Sequence, residues 1–155
     1  MNLYKLVFPY QLRHPSLAFI GLIQPLGSIF PIAEAQARWY VQLMKGNCKL
    51  PSVEEMEEEV KKRQESMAKR YVNSQRHTIQ VDYMTYMDEI NAEFGAKPNL
   101  WKLLLTDPVL FYACLGPCVS YQYRLQGPHP WDGAREAILT LNERVEAPLK
   151  TRRKK

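Results

Sequence analysis

Glycine is sparse in this chain, and where it stands excludes a great deal. Its seven glycines lie at 21, 27, 46, 95, 116, 127 and 133, and no two are two apart. A dinucleotide-binding Gly-x-Gly-x-x-Gly turn is therefore absent from these 155 residues, as is a P-loop. Cysteine is sparse too. Cys48, Cys114 and Cys118 form no C-x-x-C pair, and this odd count points to reduced thiols facing a reducing compartment or the cytosol rather than a disulfide scaffold. His14, His77 and His129 are too scattered for zinc-ligand spacing, so no metal site is expected. No apolar run approaches the ~20 residues that span a bilayer. Lys5 and Arg13 interrupt the first apolar residues, so no signal peptide is expected. There is no Gly-x-Ser-x-Gly elbow, His77 has no nucleophile to serve, and Asp82, Asp88 and Glu89 make no acid–base pair. No catalytic side chain is assigned.

What is present fits a globular protein. Hydrophobic residues make up 46% and charged residues 24%, a balance that argues against disorder. The length suits one ordinary domain, although part of a fold can share that composition and still fail to bury its core alone. Eleven prolines predict short elements and long connections. The net charge of +5 is local: Lys150, Arg152, Arg153, Lys154 and Lys155 supply it, and the other 16 Lys/Arg match the 16 Asp/Glu. The body is neutral. The tail, residues 150–155, reads as a solvated, disordered basic end that could touch anionic lipid or nucleic acid only nonspecifically, so no specific nucleic-acid partner is expected.

The richest stretch is Leu17–Trp39. Leu17–Ile23 is short, apolar and without alternation, which suits a strand buried on both faces; pattern alone leaves a buried helical segment open. Gln24-Pro25 breaks the run, and Gly27 permits a backbone shape that other residues resist. Pro31 fits a first helical turn, and Ile32, Ala35, Gln36, Trp39 and Leu43 recur at helical spacing over a helix Pro31–Lys45. Strand, turn and helix in succession bring a helix N-terminus up to an anionic or electron-rich ligand. Alone, this describes any α/β protein, and Gln24 reads as an ordinary turn residue whose amide serves nearby backbone groups.

Other elements follow. A strand is expected over Leu3–Phe8. Ser52 and Glu55 form a capping box for a long helix whose acidic start and basic end complement its dipole, with Glu57–Lys61 and Glu58–Lys62 as i,i+4 pairs. Val53, Met56, Val60, Met67 and Tyr71 give it a thin apolar seam. Residues 71–80 read as a loop. Tyr83, Met87, Ile90 and Phe94 stripe a helix ended by Gly95. Pro98 opens a short helix to Leu105, Asp107-Pro108 opens another to about Leu115, Tyr121–Leu125 suits a strand, and Trp131–Glu143 reads as helical. Glu34 and Arg38 are spaced to pair, Trp39 and Trp131 read as core or interface aromatics, and Arg124 and Arg135 read as structural ion-pair partners.

The residue identities say more than the periodicity. Gly21-Leu-Ile-Gln-Pro-Leu-Gly-Ser28 with Pro31-Ile-Ala-Glu-Ala-Gln-Ala-Arg-Trp39 closely resembles the late flavin-side segment of the flavin-containing monooxygenases. The likeness continues in order. It runs through Leu3-Tyr-Lys-Leu-Val-Phe-Pro9, Lys45-Gly46, Leu50-Pro-Ser52, Asp82-Tyr83, Gly95-Ala-Lys-Pro-Asn99 and Thr106-Asp-Pro108. It goes on through Gly116-Pro-Cys118, Tyr121-Gln-Tyr-Arg-Leu125, Gly127-Pro128, Trp131-Asp-Gly-Ala-Arg135 and Ala137-Ile-Leu-Thr140. Each motif is short, but their order from Leu3 to Arg152 makes chance similarity a poor explanation. Since both glycine fingerprints of that family are missing, only its carboxy-terminal portion is resembled.

The resemblance implies an α/β fragment: the last strand–turn–helix of an FAD/NAD(P)-binding fold with two dinucleotide domains, then a mainly helical carboxy-terminal region. Residues 1–46 would end the FAD-binding domain, 47–149 would form the helical region and 150–155 the tail. It implies FAD and NADPH as cofactors, with Gln24, Pro25, Leu26, Gly27 and Ser28 beside them once the rest of the enzyme is present. It implies oxygenation of soft nitrogen or sulfur nucleophiles, small amine or sulfur substrates, and the remainder of the monooxygenase chain as partner. The family's place is the cytosolic face of the endoplasmic reticulum membrane; its apolar anchor is not seen here, and a genuine truncation would be cytosolic. The isolated chain is expected to be inactive, and the alternative is a truncated product without catalysis that binds full-length relatives. A lipid or nucleic-acid binder working through the basic tail ranks last.

Overall fold

The computed structural model describes residues 2–12, 14, 16–70, 79–116 and 120–150, with the backbone alone for Arg70. Residues 71–78 of the loop expected at 71–80, with the last seam residue Tyr71 and His77, lie outside the described residues, as do Cys118 and residues 151–155; Gln80, expected in that loop, stands instead in a two-residue strand. Two compact units divide between Phe94 and Gly95. This division by compactness falls elsewhere than the family-based boundary at residue 46.

The first unit is α/β with very little sheet. Strand β1, Gln24–Pro25, pairs in parallel with β2, Gln80–Val81, in the register Gln24 with Gln80 and Pro25 with Val81. Helix α1 spans Ile29–Met44, α2 Val53–Arg70 and α3 Tyr83–Ala92. The α1 stripe is buried as its spacing requires: Ile32, Ala35, Gln36 and Trp39 all lie inside, and α1 packs on α3. Phe8 and Tyr4 meet the Trp39 ring edge-on, with centroids 4.8 and 6.0 Å away. The capping box is present, with Glu55 N–H donating to Ser52 Oγ at 3.2 Å and Ser52 N–H to Glu55 Oε2 at 2.9 Å. Both i,i+4 pairs form, Glu57–Lys61 at 3.0 Å and Glu58–Lys62 at 2.7 Å. Met56 and Val60 carry the buried part of the α2 seam, while Val53 is exposed.

Two expected strands do not form. Leu3–Phe8 folds back on itself. Tyr4 and Phe8 make an isolated antiparallel bridge, with N–H···O distances of 2.7 and 3.1 Å, while Lys5 and Leu6 between them take left-handed backbone at φ 46° and 58°. Such backbone costs about 1–3 kcal/mol per residue and persists only where surroundings over-determine it. Here the burial of Leu3, Tyr4, Leu6, Val7 and Phe8 and the ion pairs of Lys5 supply that constraint. The run Leu17–Ile23 has no regular secondary structure and bends at Gly21, where φ is 77°, with Phe19 N–H donating to Val7 O at 2.8 Å. Leu17, Phe19 and Ile20 are exposed, and only Ile23 is buried. The strand buried on both faces is thus corrected to an apolar segment that lacks neighbouring strands among the described residues.

The second unit is helical: α4 Leu100–Thr106, α5 Pro108–Cys114, a 3-10 helix Ser120–Arg124, α6 Ala134–Leu139 and α7 Leu141–Lys150. Leu110, Cys114 and Ile138 form its core, with Leu100, Leu103, Ala113, Tyr121 and Leu125 packed around them. Asn99 rather than Pro98 caps α4, its Oδ1 accepting from Lys102 N–H at 3.0 Å. The strand expected at Tyr121–Leu125 is corrected to the 3-10 helix. Consecutive Gln122 and Tyr123 are both buried, which a strand, sending neighbours to opposite faces, would not arrange over a single core. Lys150 belongs to α7 and pairs with Glu146 at 3.3 Å, so it is not part of the disordered end expected from residue 150.

Asp107 has two tasks in this unit. Its Oδ1 caps α5 by accepting from Leu110 N–H at 3.1 Å, and its Oδ2 accepts from Arg135 Nε at 2.6 Å. The Arg135 hydrogen bond, then the Leu110 N–H, hold its carboxyl below the ordinary aspartate value of 3.8. A lowered native pKa gives stability that is complete above the ordinary value and lost as pH falls through the lowered one. Arg135→Gln should therefore move the acid unfolding transition of this unit upward, as pH-dependent circular dichroism would show; an unmoved transition would contradict this pairing.

Candidate functional site

The five residues singled out by the sequence lie together in one turn leading into α1. Gln24 N–H donates to Ile79 O at 2.8 Å, so β2 anchors the start of the turn. Gln24 is exposed, Pro25 half-buried, and Leu26, Gly27 and Ser28 are exposed, Leu26 at 91%. Gly27 sits at φ +140°, in the region that favours glycine, and a Cβ there would meet the Tyr83 ring at 3.4 Å. Ser28 is the N-cap of α1 with extended backbone, but its side chain makes no cap bond. The first-turn N–H groups of a 16-residue helix therefore stand behind an uncovered turn, where the positive end of the helix dipole favours an electron-rich group.

A buried polar relay holds this turn from beneath. Gly21 N–H donates to Gln36 Oε1 at 2.7 Å, Gln36 Nε2 donates to Tyr86 Oη at 2.8 Å, and Tyr86 Oη–H donates to Lys5 O. Gln36 and Tyr86 are essentially sealed from water. Burial, ahead of every other cause, pushes the Tyr86 phenol well above its ordinary value, so it remains a donor throughout the neutral range. Lys5 is itself buried, and its Nζ lies 3.1 Å from Glu59 and 3.6 Å from Glu93. Arg63 pairs with Glu89 at 2.6 Å and lies over the Tyr86 ring. The relay thus ties the N-terminal fold-back, α1 and α3 to Gly21, three residues before Gln24.

The sequence pattern passed over this relay. Its stronger signal was a glutamine on the apolar stripe of α1, since an amide facing a core must find partners there. Lys5 inside an apolar segment was a second, weaker signal.

Other candidates have structural roles. Arg135 pairs with Asp107, and Arg124 Nη1 donates to His129 O at 3.2 Å. The Arg38 guanidinium lies over the Phe94 ring. Trp39 is fully buried, whereas Trp131 is 47% exposed beside Tyr121. Cys48 is half-buried and Cys114 buried; burial, then Glu93 for the first and Asp107 for the second, raises both thiols. Two grooves of about 430 and 510 Å³ open in the first unit, and neither is lined by Gln24–Ser28. Among the described residues no cluster of His, Cys, Asp and Glu could hold a metal ion.

Comparison with known proteins agrees with the motif order. A family model described as flavin-binding monooxygenase-like matches residues 1–155. Flavin-containing monooxygenase 5 of Rattus norvegicus is 57% identical over 153 residues, and that of Homo sapiens 55%. Dimethylaniline monooxygenase [N-oxide-forming] 2 of Cavia porcellus is 52% identical over the same length. Each match covers 98% of this chain and 29% of the relative, so the chain spans less than a third of the length of these curated relatives. With a full-length model match and identities above half, the chain belongs to the flavin-binding monooxygenase-like family.

Proposed function

We propose that this chain supplies the carboxy-terminal part of an FAD- and NADPH-dependent monooxygenase that oxygenates soft nitrogen or sulfur nucleophiles. The observation that carries this is the exposed turn Gln24–Ser28 at the N-terminus of α1, in a chain that matches the family throughout. The residues present fit a flavin edge and a nicotinamide. Gly27 lets backbone approach closely, the Ser28 hydroxyl is not consumed by capping, and the Leu26 side chain has no cover. When bound, the flavin and its nicotinamide reductant supply the redox and oxygen-transfer chemistry. Gln24 offers an amide that both donates and accepts, orienting the cofactor edge. Leu26 excludes water from one side. The α1 N–H groups favour an electron-rich atom, and the Gln36 relay fixes the turn that carries them. By the same family reading the enzyme works at the cytosolic face of the endoplasmic reticulum membrane. Among the described residues no helix is long and apolar enough to cross a membrane.

A second reading is an interaction partner of full-length relatives without catalysis of its own, and the exposed Leu17–Ile20 segment favours it. The first reading is tested in a chimera, with this chain replacing the matching region of the Rattus norvegicus relative. The chimera should hold flavin and oxidise NADPH, and Gln24→Ala should slow turnover at least tenfold with an unchanged melting temperature. A folded chimera without flavin, or a Gln24→Ala variant of undiminished activity, would sink it.

A further inference from the structure

From His14 to Ala33 the chain carries no Asp, Glu, Lys or Arg. Twenty uncharged residues would ordinarily be sought in a core, yet Leu17, Phe19, Ile20, Leu26, Ile29 and Phe30 are all exposed here, Phe30 at 84%. They flank β1, which among the described residues has only the two-residue β2 beside it. Contiguous apolar exposure of this kind marks an interaction surface. Its composition narrows the occupant. An anionic lipid surface or a nucleic acid would call for Lys or Arg around the apolar residues, and none is present in the stretch. The whole first unit is neutral, with 11 Lys/Arg against 11 Asp/Glu in residues 1–94. A charge-depleted apolar patch is instead what the centre of a protein–protein interface looks like. The chain also accounts for only 29% of the length of its relatives, so a partner of matching origin exists in them.

We propose that this uncharged face, Leu17–Phe30, docks onto the remaining, flavin-binding part of a monooxygenase of this family, and that it does so even when the two parts are separate polypeptides. Docking covers Leu26 and Phe30 and brings Gln24–Ser28 up to the cofactor. The proposal rests on the family reading of that turn.

The test coexpresses this chain with the amino-terminal part of the Rattus norvegicus relative, ended where the match begins. One part is tagged, and the purified material is examined for both chains and for flavin absorbance. The two should co-purify in equal amounts. Phe30→Glu and Leu26→Glu, which replace exposed side chains, should each weaken retention at least tenfold while the circular dichroism of the chain stays unchanged. A soluble amino-terminal part that fails to retain the chain overturns the proposal, as does retention indifferent to both substitutions. Self-association of the chain that Phe30→Glu abolishes, without retention by the monooxygenase part, overturns it in favour of a second copy. Flotation of the chain with phosphatidylcholine–phosphatidylserine vesicles, lost in Phe30→Glu and again without retention, overturns it in favour of lipid. A complex without flavin upholds the docking and removes the cofactor role of Gln24–Ser28; a complex with flavin upholds both.

Discussion

Gln36→Ala is expected to lower the stability of the first unit by about 3 kcal/mol or more, enough to unfold a large fraction of a marginally stable unit at 37 °C. The substitution leaves the half-buried Gly21 N–H without its acceptor and removes the donor to Tyr86 Oη, which is sealed from water. Each buried polar group so stranded costs about 1–3 kcal/mol, and the vacated volume adds a cavity cost. Tyr86→Phe should cost less, about 1–2 kcal/mol, because Gln36 keeps its bond to Gly21 and only the Lys5 carbonyl and one amide hydrogen lose a partner. The two should not add, since they share a hydrogen bond. Denaturant unfolding of the single and double variants checks this; full additivity would mean that the relay is not a connected unit.

Gly127→Ala should have an effect of similar size in the second unit. Gly127 lies at φ +79°, and a Cβ there would stand 2.7 Å from Gly95 O, 2.8 Å from Ala96 Cα and 2.9 Å from Ala96 N. All three are backbone atoms, so no side chain can rotate away. Strain at the residue, about 1–3 kcal/mol, and displacement of the neighbouring backbone, about 1–3 kcal/mol, act together. Gln126 Nε2 donates to Lys97 O, so the same displacement loosens a second tie between these segments. Thermal unfolding followed at Trp131 should show the loss. A melting temperature within a degree of the parent's would mean that the segments carrying Gly127 and Ala96 are further apart than described.

The legible part of this fold was local. Ser52 with Glu55, and Asp107 before Pro108, announce helix starts through side chains that answer their own backbone, and the structure has both. The α1 stripe was legible because Ile32, Ala35 and Trp39 recur at the helical period and are buried in order. The strands were not legible. A strand depends on neighbours, and an apolar run such as Leu17–Ile23 shows that cover is needed without showing that this chain provides it. Leu3–Phe8 misled for another reason. Its apolar residues are buried as a strand's would be, but by folding back around Lys5, whose ammonium meets Glu59 and Glu93 on segments over fifty residues away. Of the candidate site, the turn Gln24–Ser28 came from residue identities, not periodicity. The relay beneath it depends on pairings across α1, α3 and the N-terminal segment that no local pattern displays.

The central claim is that this chain shapes one side of a flavin site that it cannot hold alone. It is tested most directly by purifying the 155-residue chain and titrating it with FAD, with and without NADPH, while following flavin absorbance and NADPH oxidation. The expected result is neither flavin binding nor turnover, because no dinucleotide fingerprint lies in the sequence. Stoichiometric FAD binding with NADPH oxidation would contradict it, and would place a complete cofactor site within these residues.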